Sequence, residues 1–331
     1  MLRPRRPNRE QATVFRKTFL PPITLLARDG IVMTFALLVE QLFNGMQFGL
    51  MLFLMAVGVT LVFGIMRVIN LAHGSLFMIG GYFLMAALAW TRSYLLAIPL
   101  AFIMAALVAV VLEVIVMRPL YRRGPLDQVL ATFGLTLFFN EAVTVIWGRE
   151  PIPLMIPPLL AGSVEIIPGG AYPVYRLVIT GVAIVAGVLL YFFITRTRVG
   201  ALIRAGSDNR EIVAALGINI GLLYTLVFVL SAMLAALAGI MMGPLLSVEP
   251  GSGDPVLITT LVVVVIGGIG SVRGALVGAL MVGIFDTLSR VLIPMAISTN
   301  ATSALVNMAI YLLMAVVLLF SRTGLFAAHR G

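Results

Sequence analysis

The chain has 331 residues, of which 61% are hydrophobic and only 11% are charged, and its mean hydropathy is +1.12. Soluble domains carry roughly 25% charged residues, so this composition excludes a soluble globular protein and predicts an all-α polytopic membrane protein. The lack of cysteine excludes disulfides and cysteine-ligated metals, and two histidines are too few for a histidine metal site. The net charge of +9 does not indicate nucleic-acid binding, because the basic residues lie in short loops between apolar segments.

Four clusters of basic residues predict the orientation of the chain. They fall within residues 1–30, at 118–123, at 196–210 and at 322–330. The positive-inside rule places all four in the cytoplasm, and with them both termini. Residues 1–30 lack a small-residue cleavage site after a short apolar core, so we expect a retained, basic cytoplasmic leader rather than a cleaved signal.

Nine apolar segments follow, at 31–66, 74–90, 97–117, 129–147, 174–195, 221–243, 256–272, 274–293 and 303–320. The first is too long for one ordinary crossing, since 36 residues of helix would span ~54 Å against a hydrocarbon core of ~30 Å. If it forms two spans, 74–90 crosses fully and the total is ten. If it forms one span, 74–90 re-enters and the total is eight. The charge clusters exclude nine.

Two connections between these segments are long. Residues 148–173 contain six prolines and are predicted to lie outside, whereas 196–220 are polar and are predicted to lie in the cytoplasm. The other connections are short. We therefore expect one transmembrane domain over 31–320, with no soluble module, and a cytoplasmic tail over 321–331.

The cytoplasmic loop contains the pattern of a short capped helix. Asp208 followed by Glu211 has the spacing of a capping box, and Gly217 is a typical C-terminal stop. About two turns fit between them, with Ile212, Ala215 and Leu216 on one side. Such a helix can transmit force to a docked subunit. An amphipathic connector on the lipid surface fits the pattern equally well.

Several stretches of the chain, in the same order, resemble permeases of the branched-chain amino acid ABC importer family, of the LivH type. These stretches are Asn44–Gly45 with Ala56–Ile65 and Ile69–Gly74, Gly200–Ala205 with Asp208 and Ala214–Asn219, Val265–Ser271 with Gly274–Ala275, and Arg322–Phe326. They extend over nearly the whole chain. The basic leader is longer than the family pattern requires.

The resemblance implies a translocating subunit of the bacterial inner membrane that performs no covalent chemistry. Its expected partners are a second permease (a paralogue or another copy), two ABC ATPases and an extracytoplasmic solute-binding protein, within membrane lipid. The cytoplasmic loop would contact the ATPase through Arg204, Asp208, Asn209, Arg210, Glu211, Ala214 and Gly217. The expected cargo is a branched-chain amino acid, although similar permeases carry urea, amides or aromatic acids.

The single lysine supports a separate motor. A P-loop needs G-x-x-x-x-G-K-[ST], and Lys17 lies in a stretch without those glycines. We therefore expect this chain to bind no cofactor, with ATP on the partner subunits.

Two groups of polar residues are candidates for the translocation pathway. Asn44 and Gln47 share a helix face with Glu40, and a carboxylate at the bilayer centre costs roughly 2.5–3.5 kcal/mol, so this face should point into the bundle. We expect Asn44 to line the pathway and Glu40 to lie at the interface. The second group, Asn70, His73 and Ser75, flanks Gly74; the residues alone fit an ordinary interfacial turn or a broken helix, and the family resemblance implies a buried break near the pathway.

Other residues have structural interpretations. Gly267, Gly268, Gly270 and Gly274 are predicted to allow close helix packing. Asp286 and Arg290 are four residues apart and are predicted to pair near the outer face. Glu249 and Pro250 begin an outside turn that could meet an extracytoplasmic binding protein or line the entrance.

Two other functional classes remain open at this point. A stand-alone secondary transporter or channel would need ionisable groups at mid-membrane, for which Glu40 is the candidate. An intramembrane aspartyl protease would use the G-x-G-D pattern at 251–254, but it needs a second aspartate, and no Tyr-Asp pair occurs.

Overall fold

The computed structural model describes residues 35–167, 170–297, 301–321 and 324–326. The predicted leader at 1–30 lies outside these ranges, and the predicted tail at 321–331 lies only partly within them.

The described residues form a bundle of apolar helices, eight of them long enough to cross a membrane. The helices are α1 (Phe35–Met66), α2 (His73–Thr91), α3 (Tyr94–Leu112), α4 (Pro125–Trp147), α5 (Val174–Arg196), α6 (Arg198–Asp208), α7 (Arg210–Ala215), α8 (Ile220–Leu246), α9 (Gly253–Gly267), α10 (Val272–Ala296) and α11 (Thr302–Phe320). Helix α3 continues through a π-helical turn at Glu113–Met117 and a short turn at Arg118–Leu120. Helix α9 is the shorter apolar helix. The all-α polytopic fold class is confirmed.

Between α4 and α5 lies the only sheet of the described residues. A 3₁₀ turn at Pro158–Leu160 precedes β1 (Ser163–Ile167), which pairs antiparallel with β2 (Gly170–Pro173) so that Val164 faces Tyr172. We call the end of the bundle next to this hairpin the hairpin end.

The opposite end, which we call the basic end, is defined by contacts between loops and helix ends. The Ser207 hydroxyl lies 3.3 Å from the Gly64 carbonyl, near the C-terminus of α1. Arginines are concentrated there, at helix ends and in short loops: Arg67, Arg118, Arg122, Arg123, Arg196, Arg198, Arg204 and Arg273. The positive-inside rule predicts that the basic end faces the cytoplasm.

Helix α1 takes the second of the two arrangements, a single span followed by re-entry of the chain, but it runs in the direction opposite to the expected one. It is one continuous helix of 32 residues, ~48 Å long. Its Asn44 contacts Arg176 at the hairpin end and its Gly64 contacts Ser207 at the basic end. Helix α1 therefore crosses once, toward the basic end, and α2 returns toward the hairpin end. The parity argument failed because it assumed that a single span at 31–66 begins at the basic end.

The chain re-enters the bundle after α1. Arg67 adopts a positive φ of 55°, and residues 68–72 then lead back to the start of α2 inside the bundle. There the His73 ring lies 3.2 Å from the Met55 carbonyl, roughly 16 Å along α1 from its end. Helix α2 therefore begins inside the bundle and runs ~28 Å to the hairpin end; because α2 and α9 both begin inside the bundle, we call them the half-helices.

A second re-entrant turn has the opposite direction. Helix α8 ends at the hairpin end, Ser247 adopts a positive φ of 63°, and residues 248–252 lead back into the bundle. Helix α9 then runs from Gly253 to Gly267 near the basic end. The two units, α1–α2 and α8–α9, are thus related as an inverted repeat, an arrangement found in many transporters.

The N-termini of α2 and α9 meet inside the bundle. A Cβ atom added to Gly74 would lie 2.5 Å from the Gly253 carbonyl oxygen, and one added to Gly253 would meet the Gly74 backbone. Only residues without a side chain allow this contact. The two half-helices therefore abut at one level, with α2 on the hairpin side and α9 on the basic side.

Candidate functional site

A cavity of about 630 Å³ opens at the hairpin end. Its walls come from α1, α2, α5, α8, α9 and α10, so it lies at the centre of the helix bundle rather than on a lipid-facing surface. The re-entrant segment 247–252 contributes Ser247, Glu249 and Ser252, and the predicted turn at 249–253 therefore lines the opening. The location and size of this cavity suit entry of a small solute.

A network of polar side chains forms one wall of the cavity. The Arg176 guanidinium donates from Nη1 to Asn44 Oδ1 at 2.7 Å and to Gln47 Oε1 at 3.3 Å. The Gln47 amide in turn reaches the Met242 sulfur at 3.8 Å. Gln47 is buried, and Asn44 and Arg176 are half-buried. The network holds the guanidinium in one orientation, and both of its acceptors are neutral.

Another part of the cavity wall carries an ion pair and a glutamate. Arg290 Nε donates to Asp286 Oδ2 at 2.8 Å, which forms the predicted i, i+4 pair. Asp286 is almost fully buried and its Oδ1 has no hydrogen-bond partner among the described residues. Glu249 lies exposed at the rim. Positive and negative side chains therefore line the same cavity.

The second group of predicted pathway residues lies elsewhere. His73 and Ser75 are buried, and the His73 ring contacts the Met55 carbonyl and, at 3.5 Å, the Ser231 hydroxyl. The Asn70 side chain accepts from the Ala72 N–H and stabilises the turn before α2. None of these three residues lines the cavity. The structure therefore does not bring them together with Asn44 and Gln47.

The four glycines predicted for packing occupy two kinds of position. Gly267 and Gly274 meet backbone to backbone, so neither could carry a side chain without a clash. Gly268 and Gly270 have positive φ angles of 99° and 87° in the turn between α9 and α10. Nothing lies within 4 Å of a Cβ position at Gly270, so its backbone angle, rather than close packing, favours glycine there.

The C-terminal tail contacts this glycine-rich turn. The N–H groups of Leu325 and Phe326 donate to the carbonyls of Ile266 and Gly267 at 2.8 and 3.1 Å. A Cβ at Gly324 would lie 2.7 Å from Gly268. Two stretches that the sequence analysis singled out separately thus form one contact at the basic end.

The predicted coupling loop contains two short helices, α6 and α7, joined at Asn209. The expected cap was Asp208, which was wrong: Asp208 ends α6, and Asn209 Oδ1 accepts from the N–H groups of Glu211 and Ile212 at 3.0 and 3.1 Å. Asparagine is as good a cap as aspartate, and its extended backbone (φ −150°) breaks the helix between α6 and α7. Gly217, with φ 81°, follows the end of α7.

Helix α7 presents an apolar surface outward. Ile212 and Leu216 are 59% and 74% exposed, whereas Val213 is buried and holds α7 against the bundle. Asn209, Glu211 and Ala214 are also exposed. The Arg204 side chain donates to the Ile194 carbonyl and thereby ties α6 to the end of α5. Residues 209–216 therefore form an exposed ridge on a fixed base.

Sequence reasoning missed Arg176, which is central to the polar wall of the cavity. A signal existed: Arg176 lies within the apolar segment 174–195, at the end predicted to be outside, where the positive-inside rule disfavours arginine. An arginine in such a place needs polar partners, and it finds them in Asn44 and Gln47 of another helix.

Comparison with known proteins agrees with this architecture. The family model described as the permease component of branched-chain amino acid transport systems matches residues 41–320. The chain belongs to this family. It is therefore a transporter permease subunit and a multi-pass protein of the inner membrane.

Curated relatives match over most of their length. The chain is 32% identical to the high-affinity branched-chain amino acid transport permease LivH of Salmonella typhimurium, over 77% of this chain and 87% of LivH. It is 30% identical to BraD of Pseudomonas aeruginosa, over 75% and 84%. The ribose import permease RbsC of Escherichia coli is 26% identical, over 80% and 83%. No solved structure matches the chain.

Proposed function

We propose that this chain is the membrane path of an ATP-driven importer for branched-chain amino acids, and that a separate ATPase drives it through α7. The exposed ridge at 209–216 carries this proposal. An isolated pair of large apolar side chains on a short, rigidly capped helix suits a protein groove, because burying each would contribute about 1.5–3 kcal/mol. The names of LivH and BraD support the substrate class.

Each end of the bundle is proposed to bind a different partner. The basic end faces the cytoplasm and the ATPases, and the hairpin end faces a solute-binding protein that delivers the cargo above the cavity. A second permease, which is either a paralogue or another copy of this chain, completes the membrane part. The chain itself binds no ATP, in keeping with the lack of a P-loop.

The inverted repeat supports alternating access as the mechanism. The half-helices α2 and α9 abut at Gly74 and Gly253, so a path on the hairpin side and a path on the basic side are separated at this level. Movement of α7 is transmitted through α6, which is tied to α5 by Arg204. Helix α5 carries Arg176 in the cavity, and this continuity connects the ridge to the site.

The ridge can be tested by retention of the ATPase. In the complete transporter, Ile212→Asp and Leu216→Asp should each lower the amount of ATPase that co-purifies with this chain at least tenfold, since each removes an apolar contact and adds a charge. Leu159→Asp, which changes an exposed apolar residue at the hairpin end, is the matched control and should retain the ATPase. Equal retention in all three variants would contradict the assignment of the ridge.

Uptake into proteoliposomes tests the energy source and the cargo. Leucine should accumulate only when ATP is supplied to the ATPase side together with the binding protein. Accumulation driven by a proton gradient without ATP would instead support a stand-alone transporter. Glu113, the buried carboxylate of α3, is paired with Arg118 at 3.2 Å and with Thr225 at 2.8 Å, which leaves Glu40 as the group to test for such coupling.

A further inference from the structure

We propose that Arg176 binds the carboxylate of the transported amino acid in the hairpin-end cavity, and that the apolar side of the cavity receives its side chain. This inference rests on the proposed importer function and assigns the solute contact to particular residues. It makes the permease itself selective for a carboxylate.

The charges around Arg176 favour an anionic ligand. The salt bridges between described residues join Glu113 to Arg118 and Asp286 to Arg290, so no described carboxylate lies within 4 Å of the Arg176 guanidinium. Its acceptors, Asn44 and Gln47, are neutral amides. Glu40 acts electrostatically on Tyr172, the neighbour of Arg176, but makes no ion pair with the guanidinium, so an anionic ligand would supply the charge in direct contact.

The geometry of the guanidinium also favours a carboxylate. Both hydrogen bonds that Arg176 makes to the amides leave from Nη1, and the Tyr172 side chain lies close to the group. The guanidinium has five N–H donors in a planar fork, so the Nη2 and Nε side of the fork keeps donors for another acceptor. A carboxylate matches such a fork through two parallel hydrogen bonds. Asn44 and Gln47 therefore orient Arg176 while leaving the donors that a carboxylate uses.

The rest of the cavity suits the other parts of an amino acid. Glu249 at the rim and the Oδ1 atom of Asp286, which has no hydrogen-bond partner among the described residues, can accept from an ammonium group, although Arg290 offsets the charge of Asp286. Phe48, Phe77 and Met242 supply apolar surface for a branched side chain. A cation, carboxylate acceptors and an apolar wall together match a zwitterionic amino acid better than a sugar, which carries neither charge.

The absence of cysteine allows a direct binding measurement. Ser252 lines the cavity, is half-buried, and its side chain caps no helix, so Ser252→Cys introduces a single thiol at the site. In the purified transporter without binding protein, L-leucine should slow maleimide labelling of this thiol. Leucinamide, which lacks the carboxylate, and D-ribose should protect at least tenfold less well at equal concentration.

Arg176→Gln in this background should raise the leucine concentration for half-protection at least tenfold and remove the preference over leucinamide. Arg176→Lys should keep part of that preference, because it keeps the charge but loses the fork. Arg149→Gln removes an exposed arginine outside the cavity at the same end and should leave protection unchanged. These ratios are measured on folded protein, so a general loss of stability cannot produce them.

Unchanged leucine protection in Arg176→Gln would overturn the proposal. So would equal protection by leucine and leucinamide, or a lack of leucine protection in the parent transporter while ATP-driven uptake persists. The last result would leave the importer function intact. Conversely, a failure of ATP-driven uptake with preserved leucine protection would overturn the proposed function alone.

Discussion

The two re-entrant units have the same backbone plan but different side chains. In both, a long helix ends at a non-glycine residue with positive φ, an irregular segment returns into the bundle, and a half-helix begins at a glycine contact. In the α1–α2 unit, the return is followed by the buried His73, which contacts the Met55 carbonyl. In the α8–α9 unit, the return contributes Glu249 and Ser252 to the open cavity.

This difference shows how one repeat can serve two roles. Irregular backbone inside a membrane protein survives only where protein or water satisfies its polar groups. The α1–α2 unit uses protein contacts, among them the Asx turn of Asn70 and the His73 contact, and is therefore closed. The α8–α9 unit faces the cavity, where water and solute can replace those contacts. The return segment of the first unit is a fixed support and that of the second lines the cavity, whereas helices α1 and α2 themselves also line the cavity, through Phe48 and Phe77.

The largest effect is expected at the contact that both units share. Gly74→Val and Gly253→Val should each destabilise the transporter by about 3 kcal/mol or more, since the added atoms collide with the backbone of the partner helix. Gly134→Ala, in open space on α4, is the control and should be neutral or slightly stabilising. Monodisperse yield after detergent extraction and thermal unfolding measure both. If either valine variant had normal stability, the two half-helices would not be in contact at Gly74 and Gly253.

Removal of the polar contact in the closed unit should have an intermediate effect. His73→Leu should cost about 1–3 kcal/mol, because it removes the buried contacts to Met55 and Ser231. Asp254→Asn, at the start of α9, should cost less than about 1 kcal/mol, because Asp254 is only partly buried and accepts one long bond from Asn140 at 3.3 Å. Thermal unfolding in detergent compares the two. A larger loss for Asp254→Asn would reverse the assignment of the closed and open units.

The smallest effects are expected at the two positive-φ residues. Arg67→Gly and Ser247→Gly should leave stability unchanged or raise it by up to about 1 kcal/mol, because glycine tolerates these backbone angles. Valine at either position should be destabilising. Similar shifts at both sites, measured by thermal unfolding, would support the inverted repeat, whereas a destabilising glycine at only one site would argue for unrelated turns.

Hydropathy alone predicted most of the helices, because membrane spans are defined by the length and composition of local sequence. It also placed Asn44 and Gln47 on one inward face. It could not show that α1 is continuous, since a run of 36 apolar residues satisfies one helix or two. Nor could it place Gly253 against Gly74, because this contact joins residues 179 positions apart and leaves no periodic signal.

The candidate site was only partly predictable for the same reason. Asp286 and Arg290 lie on one helix, so their spacing predicted their pairing. Arg176 reaches Asn44 across 132 positions of sequence, and only its unusual place in an apolar segment pointed to it. The cap at Asn209 rather than Asp208 depended on where α6 ends, which capping patterns locate to within a residue or two.

In an importer of this architecture, the hairpin-end cavity is the outer entrance of the path. A membrane-impermeant thiol reagent applied to vesicles of known orientation tests this directly. Ser252→Cys should react when the reagent is added from the extracytoplasmic side, and Ser207→Cys, at the basic end, should react only from the cytoplasmic side. If Ser252→Cys reacted only from the cytoplasmic side, the hairpin end would face the cytoplasm, which contradicts the proposed orientation.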